Sequence, residues 1–234
     1  MCRPGYPDRL SSLATVLSRW TPLLAGAPPE QVDRAGRDLL ARYAESQRRY
    51  HDQRHLAEVL DGVDRLTADG ADAGAGADAD RRAVRLAAWF HDAVYDPAAA
   101  PGANEEASAA LAETVLGALR QPAELVSEVA ALVRATADHQ LPPGVPPAHA
   151  AVLFDADLAI LGAPAERYAS YAVDVRAEYA HVPEEAFRAG RAAILQGFVD
   201  RPRIYRTEPA YQAWETRARL NLAAEIATLS APDR

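Results

Sequence analysis

Apolar residues recur at the three- and four-residue spacing of amphipathic helices along most of this 234-residue chain. The strict alternation that is typical of half-buried strands is nearly absent. The pattern therefore predicts an all-α bundle of about ten helices of ordinary length. Proline suits the first position of a helix and acids favour its start. Openings of this kind occur at Pro29-Glu30, Asn104-Glu105-Glu106, Pro122-Ala123-Glu124, Pro164-Ala165-Glu166, Pro183-Glu184-Glu185 and Glu208-Pro209.

Three segments interrupt the helical pattern. Residues 69–80 are rich in Gly, Ala and Asp, which is typical of a flexible surface loop, and residues 96–103 and 141–147 are proline-rich connectors. The segments beside each break are too short to form separate cores, so we expect one domain spanning residues 1–234.

Arginine is the only strongly basic residue type in the chain. The 25 basic residues are all arginines and stand against 33 acids, for a formal net charge of -8. Without lysine, a P-loop nucleotide hydrolase and an enzyme that forms a Schiff base are excluded. The acidic balance argues against a nucleic-acid partner.

The chain also lacks the usual signs of secretion and membrane insertion. Cys2 is the only cysteine, which excludes an intrachain disulfide and a cysteine-rich metal site. No apolar run approaches the roughly 20 residues of a membrane span, and the N-terminus lacks the order of a signal peptide. We therefore expect a cytoplasmic protein with no membrane partner.

His91 and Asp92 directly follow a strongly apolar helix predicted over residues 84–90. Polar groups at the buried end of a helix need partners, and a divalent metal ion would satisfy both. The alternative is a core histidine hydrogen-bonded to its neighbour or to backbone, with Asp92 exposed.

A second histidine borders the apolar face of another amphipathic helix. His55 directly precedes Leu56, the first apolar residue on that face. His51 could bind the same ion if both histidines were helical. Asp52 is a candidate N-cap, however, and would leave His51 outside the helix.

Two aspartates interrupt a later apolar segment, residues 152–162. Buried carboxylates need a partner, and a metal ion is a common one. Asp155 and Asp157 are two residues apart and point to roughly opposite sides of a helix, so only one should face a site.

The chain carries a histidine, then a His-Asp pair, then a buried aspartate. This order resembles that of the ligands in the HD superfamily of all-α, metal-dependent phosphohydrolases. The resemblance covers most of the chain. It extends to a bacterial subfamily described as predicted metal-dependent HD-domain phosphohydrolases. The segments that carry it are RYHDQRHL, WFHDAVYDP, NEEASA, ATADH, DADLAILG, RAEY, GRAAIL and IYRTE.

The resemblance implies that His55, His91, Asp92 and Asp157 hold a metal ion, with Asp155 as the reserve for the last ligand. The metal-site core then spans about residues 45–165. Two neutral imidazoles and two carboxylates offset a divalent ion but do not select among Mn, Fe, Co, Zn, Ni and Mg. Such an ion would activate a water for attack on a phosphoryl group.

Three further side chains are catalytic candidates. Asp96 occupies the second place of a Glu-Asp pair that the family's guanosine tetraphosphate hydrolases carry, where it would position water or act as general base. Tyr95 replaces the glutamate, which puts that same activity in doubt. Glu106, or its neighbour Glu105, could reach the site, unless both are ordinary helix-start acids. His139 would be a second-metal ligand or a phosphate contact, or simply a histidine at a helix C-terminus.

A phosphate substrate needs cations, which here must be arginines. The sequence candidates are Arg54 and Arg49, beside the first metal histidine, and Arg176 and Arg191, in the C-terminal half.

The sequence thus predicts a metal-dependent phosphohydrolase for a small phosphorylated molecule such as a nucleotide. A non-catalytic sensor that binds metal and nucleotide, and an HD-like di-iron oxygenase, are the alternatives. We expect a monomer or a homodimer.

Overall fold

Ten α-helices and no strand are present in the computed structural model, which describes residues 13–68 and 77–231. The all-α prediction is therefore confirmed. The helices are α1 (Leu13–Trp20), α2 (Pro29–Arg42), α3 (Gln53–Ala68), α4 (Ala77–Phe90), α5 (Ala103–Ala118), α6 (Ala123–Arg134), α7 (Pro147–Asp157), α8 (Ala165–Glu178), α9 (Glu184–Val199) and α10 (Glu208–Leu229). Short 3-10 helices cover Thr21–Leu24, Ala135–Ala137 and Leu158–Gly162.

The predicted helix starts agree closely with the structure. Pro29 begins α2, and Pro122, Pro164 and Pro183 each directly precede a helix. In these places proline's fixed φ suits the helix start, and its missing N–H would have no intrahelical acceptor. The proline-rich connectors are also confirmed, except that the last residue of each, 103 and 147, already begins a helix.

The predicted loop over residues 69–80 needs a correction at its end. Residues 77–80 form the first turn of α4, because alanine favours helices and aspartate favours their N-termini. Residues 69–76, and likewise Cys2, lie outside the described part of the chain.

Buried apolar side chains from all the helices form one continuous cluster. At its centre α3, α4 and α7 pack against one another, and α4 also packs on α6. Trp20 and Trp89 meet edge to face, with ring centroids 5.2 Å apart. Helices α9 and α10 pack together, and α10 covers the 3-10 helix Leu158–Gly162.

A glycine allows α3 and α7 to approach closely. A Cβ on Gly62 would lie 3.0 Å from the Cβ of Ala156, so a larger residue would push the two helices apart. This contact brings the middle of α3 and the end of α7 to the same region of the core.

No single described helix is long and apolar enough to cross a membrane. The length and apolarity are reached only by Pro147–Gly162 combined with Ala165–Glu178, two parts that are bent by 102°.

Candidate metal centre

Two buried histidines face each other between α3 and the end of α4. The Nε2 atoms of His55 and His91 are 3.0 Å apart, and both residues are 1% exposed. Asp52 caps α3 as predicted, because its Oδ1 accepts the N–H groups of Arg54 and His55. The N–H of His91 still bonds to the carbonyl of Ala87, which continues the geometry of α4.

The two facing nitrogen atoms need a positive charge between them. His91 Nδ1 lies 2.8 Å from the carbonyl oxygen of Ala88, so that nitrogen donates and Nε2 of the neutral ring carries a lone pair. Burial by itself lowers the pKa of His55, but hydrogen bonds to Asp157 and Asp92 outweigh it and raise the pKa to about 10. A proton or a metal cation therefore suits this position.

Two carboxylates complete the cluster. Asp92 Oδ2 lies 3.2 Å from Nε2 of His55 and 3.0 Å from Nε2 of His91. Asp157 Oδ1 lies 3.4 and 3.7 Å from the same two nitrogens. Burial raises the pKa of Asp157, but hydrogen bonds from His139 and His55 outweigh it, and the net pKa is lowered.

The donor set fits a metal ion. Ligand atoms of His55, His91 and Asp157 lie within 4.8 Å of one another and could hold an ion. Asp92 adds a fourth oxygen beside them. Mixed nitrogen and oxygen donors that converge on one point are the usual coordination of metal ions in proteins.

The structure distinguishes the two aspartates of α7. The Asp155 carboxylate accepts the backbone N–H groups of Arg206 and Thr207 at 2.8 and 2.7 Å, and the Thr207 hydroxyl at 2.7 Å. It thereby holds the segment that precedes α10. Asp157, and not Asp155, lies at the histidines.

His139 approaches the other oxygen of Asp157. Its Nε2 lies 3.3 Å from Asp157 Oδ2, whereas Oδ1 faces His55 and His91. His139 has a left-handed backbone with φ of 57°, which turns the chain two residues after the 3-10 helix Ala135–Ala137.

His51 lies outside α3, as predicted, and is fixed by Glu178 of α8. Its Nδ1 is 2.7 Å from Glu178 Oε2, and its ring stacks on Tyr95 at 4.3 Å between centroids. Glu178 Oε1 accepts the N–H groups of Arg49, Tyr50 and His51 at 2.7, 2.9 and 3.0 Å. Burial raises the pKa of Glu178, but these bonds outweigh it, that from His51 most, and lower the pKa to about 2.

Arg48 connects the loop before α3 with the loop after α4. Its guanidinium donates to the carbonyls of His51 at 2.9 Å and Asp92 at 2.8 Å. It also lies over the rings of Tyr43 and Tyr95, and its side chain is only 1% exposed. The arginine therefore fixes the positions of the two loops relative to each other.

Sequence reasoning missed the roles of Glu178 and Arg48. A signal for Glu178 was present, since it follows Tyr171 and Val175 at helical spacing and thus lies on the buried face of α8. A carboxylate on such a face needs partners. Arg48 had no comparable signal, because arginines are frequent throughout this chain.

A cavity of about 540 Å³ opens onto the cluster. Helices α8 and α9 and the turn between them supply most of the apolar part of its lining. The charged and imidazole side chains that line it are His51, Asp92, Glu105, His139, Asp157 and Arg191.

Two predicted catalytic acids do not line this cavity. Asp96 is exposed, and its Oδ1 accepts the N–H of Ala98 within its own turn. Glu106 is held outside by Arg134, which donates to both of its carboxylate oxygens at 2.7 and 2.8 Å. Neither position supports the predicted catalytic role. Glu105, and not Glu106, lines the cavity.

Of the four predicted phosphate-binding arginines, Arg191 alone lines the cavity. Arg54 pairs with Glu58, and Arg176 pairs with Glu184 near the end of α8. Arg49 is exposed, and its guanidinium contacts the carbonyl of Arg48. The prediction for these three is not supported, because none of them lines the cavity.

No known protein-family model and no curated protein sequence matches this chain.

Proposed function

We propose that this protein is a metal-dependent phosphohydrolase that cleaves a small phosphorylated compound with a metal-activated water. One observation carries the proposal: donor atoms of His55, His91, Asp92 and Asp157 converge at the wall of a cavity large enough for such a compound. The same order of ligands along the chain resembles the HD superfamily.

The charge of the cluster favours a divalent ion. Two neutral imidazoles and two carboxylates carry two negative charges, which a divalent ion offsets. The donor types are compatible with Mn, Fe, Co, Zn, Ni or Mg. When bound, such an ion supplies a water of lowered pKa and positive charge beside a phosphoryl oxygen.

The surrounding residues supply the remaining functions of a hydrolytic site. Arg191 binds a phosphate oxygen, and its planar guanidinium suits that role. His51, oriented by Glu178, presents Nε2 to a ligand in the cavity, where it contacts the leaving oxygen.

The proposal is tested on purified protein stripped with a chelator and reloaded with Mn or Co. We expect phosphate or nucleoside release from a panel of phosphomonoesters, cyclic nucleotides and nucleoside mono-, di- and triphosphates. The variants His91→Ala and Asp92→Ala should lose both bound metal and turnover.

Asp96→Asn is the matched control, since this aspartate follows Asp92 closely in the chain but does not line the cavity. It should keep metal content and turnover. Turnover that survives both His91→Ala and Asp92→Ala would refute the site.

A second candidate function, iron-dependent oxygenation, is favoured by the position of His139. Asp157 directs one oxygen toward His55 and His91 and the other toward His139, so Asp157 and His139 could hold a second ion. Two irons per chain and oxygen consumption would favour it, whereas one exchangeable metal per chain would favour hydrolysis.

A further inference from the structure

The cavity offers little positive charge to a substrate. Among the described residues that line it, Arg191 is the one arginine, whereas Asp92, Asp157 and Glu105 are acids. The guanidinium of Arg191 is already bound to Glu225, at 2.9 and 3.4 Å. A metal ion and one paired arginine can neutralise a single phosphate group, but a di- or triphosphate chain calls for more cations.

Apart from Thr136 and the imidazoles of His51 and His139, the rest of the lining is apolar or aromatic. Val175 and Tyr179 of α8 and its following turn, with Phe187 and Ile194 of α9, form this side. Arg176 lies over the Phe187 ring at 4.6 Å but is paired with Glu184. Such a surface binds an uncharged apolar or planar group through burial.

The size of the cavity limits the substituent. About 540 Å³ is within the range of small-molecule sites, roughly 300–1,000 Å³. An aryl group or a nucleoside fits this volume together with one phosphate. A short polar alcohol would leave the apolar side in contact with water.

We infer that the substrate is a phosphomonoester with one phosphate at the metal cluster and an uncharged apolar or aromatic substituent against α8 and α9. This inference rests on the proposed hydrolase function. It assigns Phe187 and Ile194 as residues that determine specificity.

The test compares metal-loaded protein on glycerol phosphate, phenyl phosphate and naphthyl phosphate, and on AMP, ADP and ATP. We expect kcat/KM to rise at least about tenfold from glycerol phosphate to naphthyl phosphate, because more apolar surface is buried. AMP should be hydrolysed faster than ADP or ATP. Equal rates for the three esters, or a preference for ATP, would overturn the inference.

A pair of variants tests the apolar side itself. Ile194→Ser should lower kcat/KM for naphthyl phosphate at least about fivefold more than for glycerol phosphate. Leu220→Ser is the control, since Leu220 is exposed to a similar degree on α10 and does not line the cavity. It should leave the ratio unchanged, and an unchanged ratio in Ile194→Ser would count against the assignment.

Binding separates the inference from the proposed function. Calorimetry with naphthylphosphonate and methylphosphonate measures ligand preference without turnover. Tighter binding of naphthylphosphonate with no hydrolysis of any ester would refute the hydrolase and keep the ligand class. Hydrolysis without any preference for the apolar ligand would support the hydrolase and refute the ligand class. The absence of both hydrolysis and binding preference would refute the hydrolase and the ligand class together.

Discussion

Glu178 is the side chain that explains how His51 reaches the cavity. Its buried carboxylate accepts three backbone N–H groups, the Tyr95 hydroxyl and His51 Nδ1. A residue outside a helix is normally mobile, but here the loop before α3 is fastened to α8. The imidazole is consequently oriented before any ligand arrives.

Replacing the Glu178 carboxylate distinguishes a role in orienting His51 from a role in metal binding. Glu178→Gln should reduce turnover and lower the free energy of unfolding by about 2 kcal/mol, because an amide cannot accept all five bonds. Metal content should not change, since Glu178 does not contact the cluster of histidines and aspartates. Urea denaturation, metal analysis and kcat are the measurements. Glu184→Gln, at an exposed acid, is the control, and unchanged turnover in Glu178→Gln would contradict the positioning role.

The same carboxyl predicts a loss of stability in acid. Its pKa is about 2 in the folded protein against an ordinary 4.5, so the ionised form stabilises the fold above pH 4.5. That contribution, roughly 3 kcal/mol by linkage, is lost as pH falls toward 2. The difference in unfolding free energy between wild type and Glu178→Gln should therefore shrink from pH 6 to pH 3. A constant difference would contradict the assigned partners.

Arg48 and Arg49 are neighbours with opposite surroundings, and this permits a direct comparison. Arg48→Lys should destabilise the protein by roughly 2–4 kcal/mol, because lysine cannot reproduce the forked contacts to two loop carbonyls. It should also weaken metal binding, since one of those carbonyls belongs to Asp92. Arg49→Lys, at an exposed side chain, should change stability by less than about 0.5 kcal/mol. Thermal unfolding and metal titration measure both effects.

The sequence could identify the four side chains of the cluster but not every neighbour. His55, His91, Asp92 and Asp157 carry a pattern of residue type and spacing. Glu105 and Glu106 differ only by a rotation of about 100° around α5, and sequence periodicity does not fix the orientation of a helix that finely. The backbone N–H groups and the imidazole that bond to Glu178 come from a loop more than a hundred residues earlier, which no local pattern reveals.

The helices were predictable at their starts because proline and acids act locally. Their packing depends instead on contacts that only the folded chain shows. Gly162 lies so close to α10 that an added Cβ would be 2.5 Å from Trp214 Cβ and 2.8 Å from its carbonyl oxygen. Nothing in the surrounding sequence distinguishes this glycine from one in open space.

Two glycine substitutions compare a closely packed glycine with one in open space. Gly162→Ala should lower the free energy of unfolding by roughly 1–3 kcal/mol, because α10 must shift to admit the methyl group. Gly117→Ala, in α5 with no atom within 4 Å of the added carbon, should raise it by about 0.5–1 kcal/mol. Chemical denaturation measures both. A neutral Gly162→Ala would show that the two elements are not tightly packed.

The core as a unit should not depend on the metal ion. Its large side chains, including Trp20, Trp89 and Phe154, pack without contributing to the cluster of ligands. Chelator-treated protein should therefore keep its helical circular dichroism and unfold cooperatively. Saturating metal at about a hundred times Kd should add about 2.7 kcal/mol of stability. Loss of helical signal on chelation would instead indicate a structural ion.

The candidate metal ligands belong to α3, α7 and the residue pair after α4, whereas most of the apolar side of the cavity belongs to α8 and α9. Under the proposed function, the residues that hold the ion and those that select the substrate thus lie on separate stretches of the chain, apart from Glu178 and Arg191. Apart from Glu178, residues 165–199 can mutate without removing a group that binds the ion or orients His51. Relatives of this protein should therefore diversify in what they recognise sooner than in what reaction they perform.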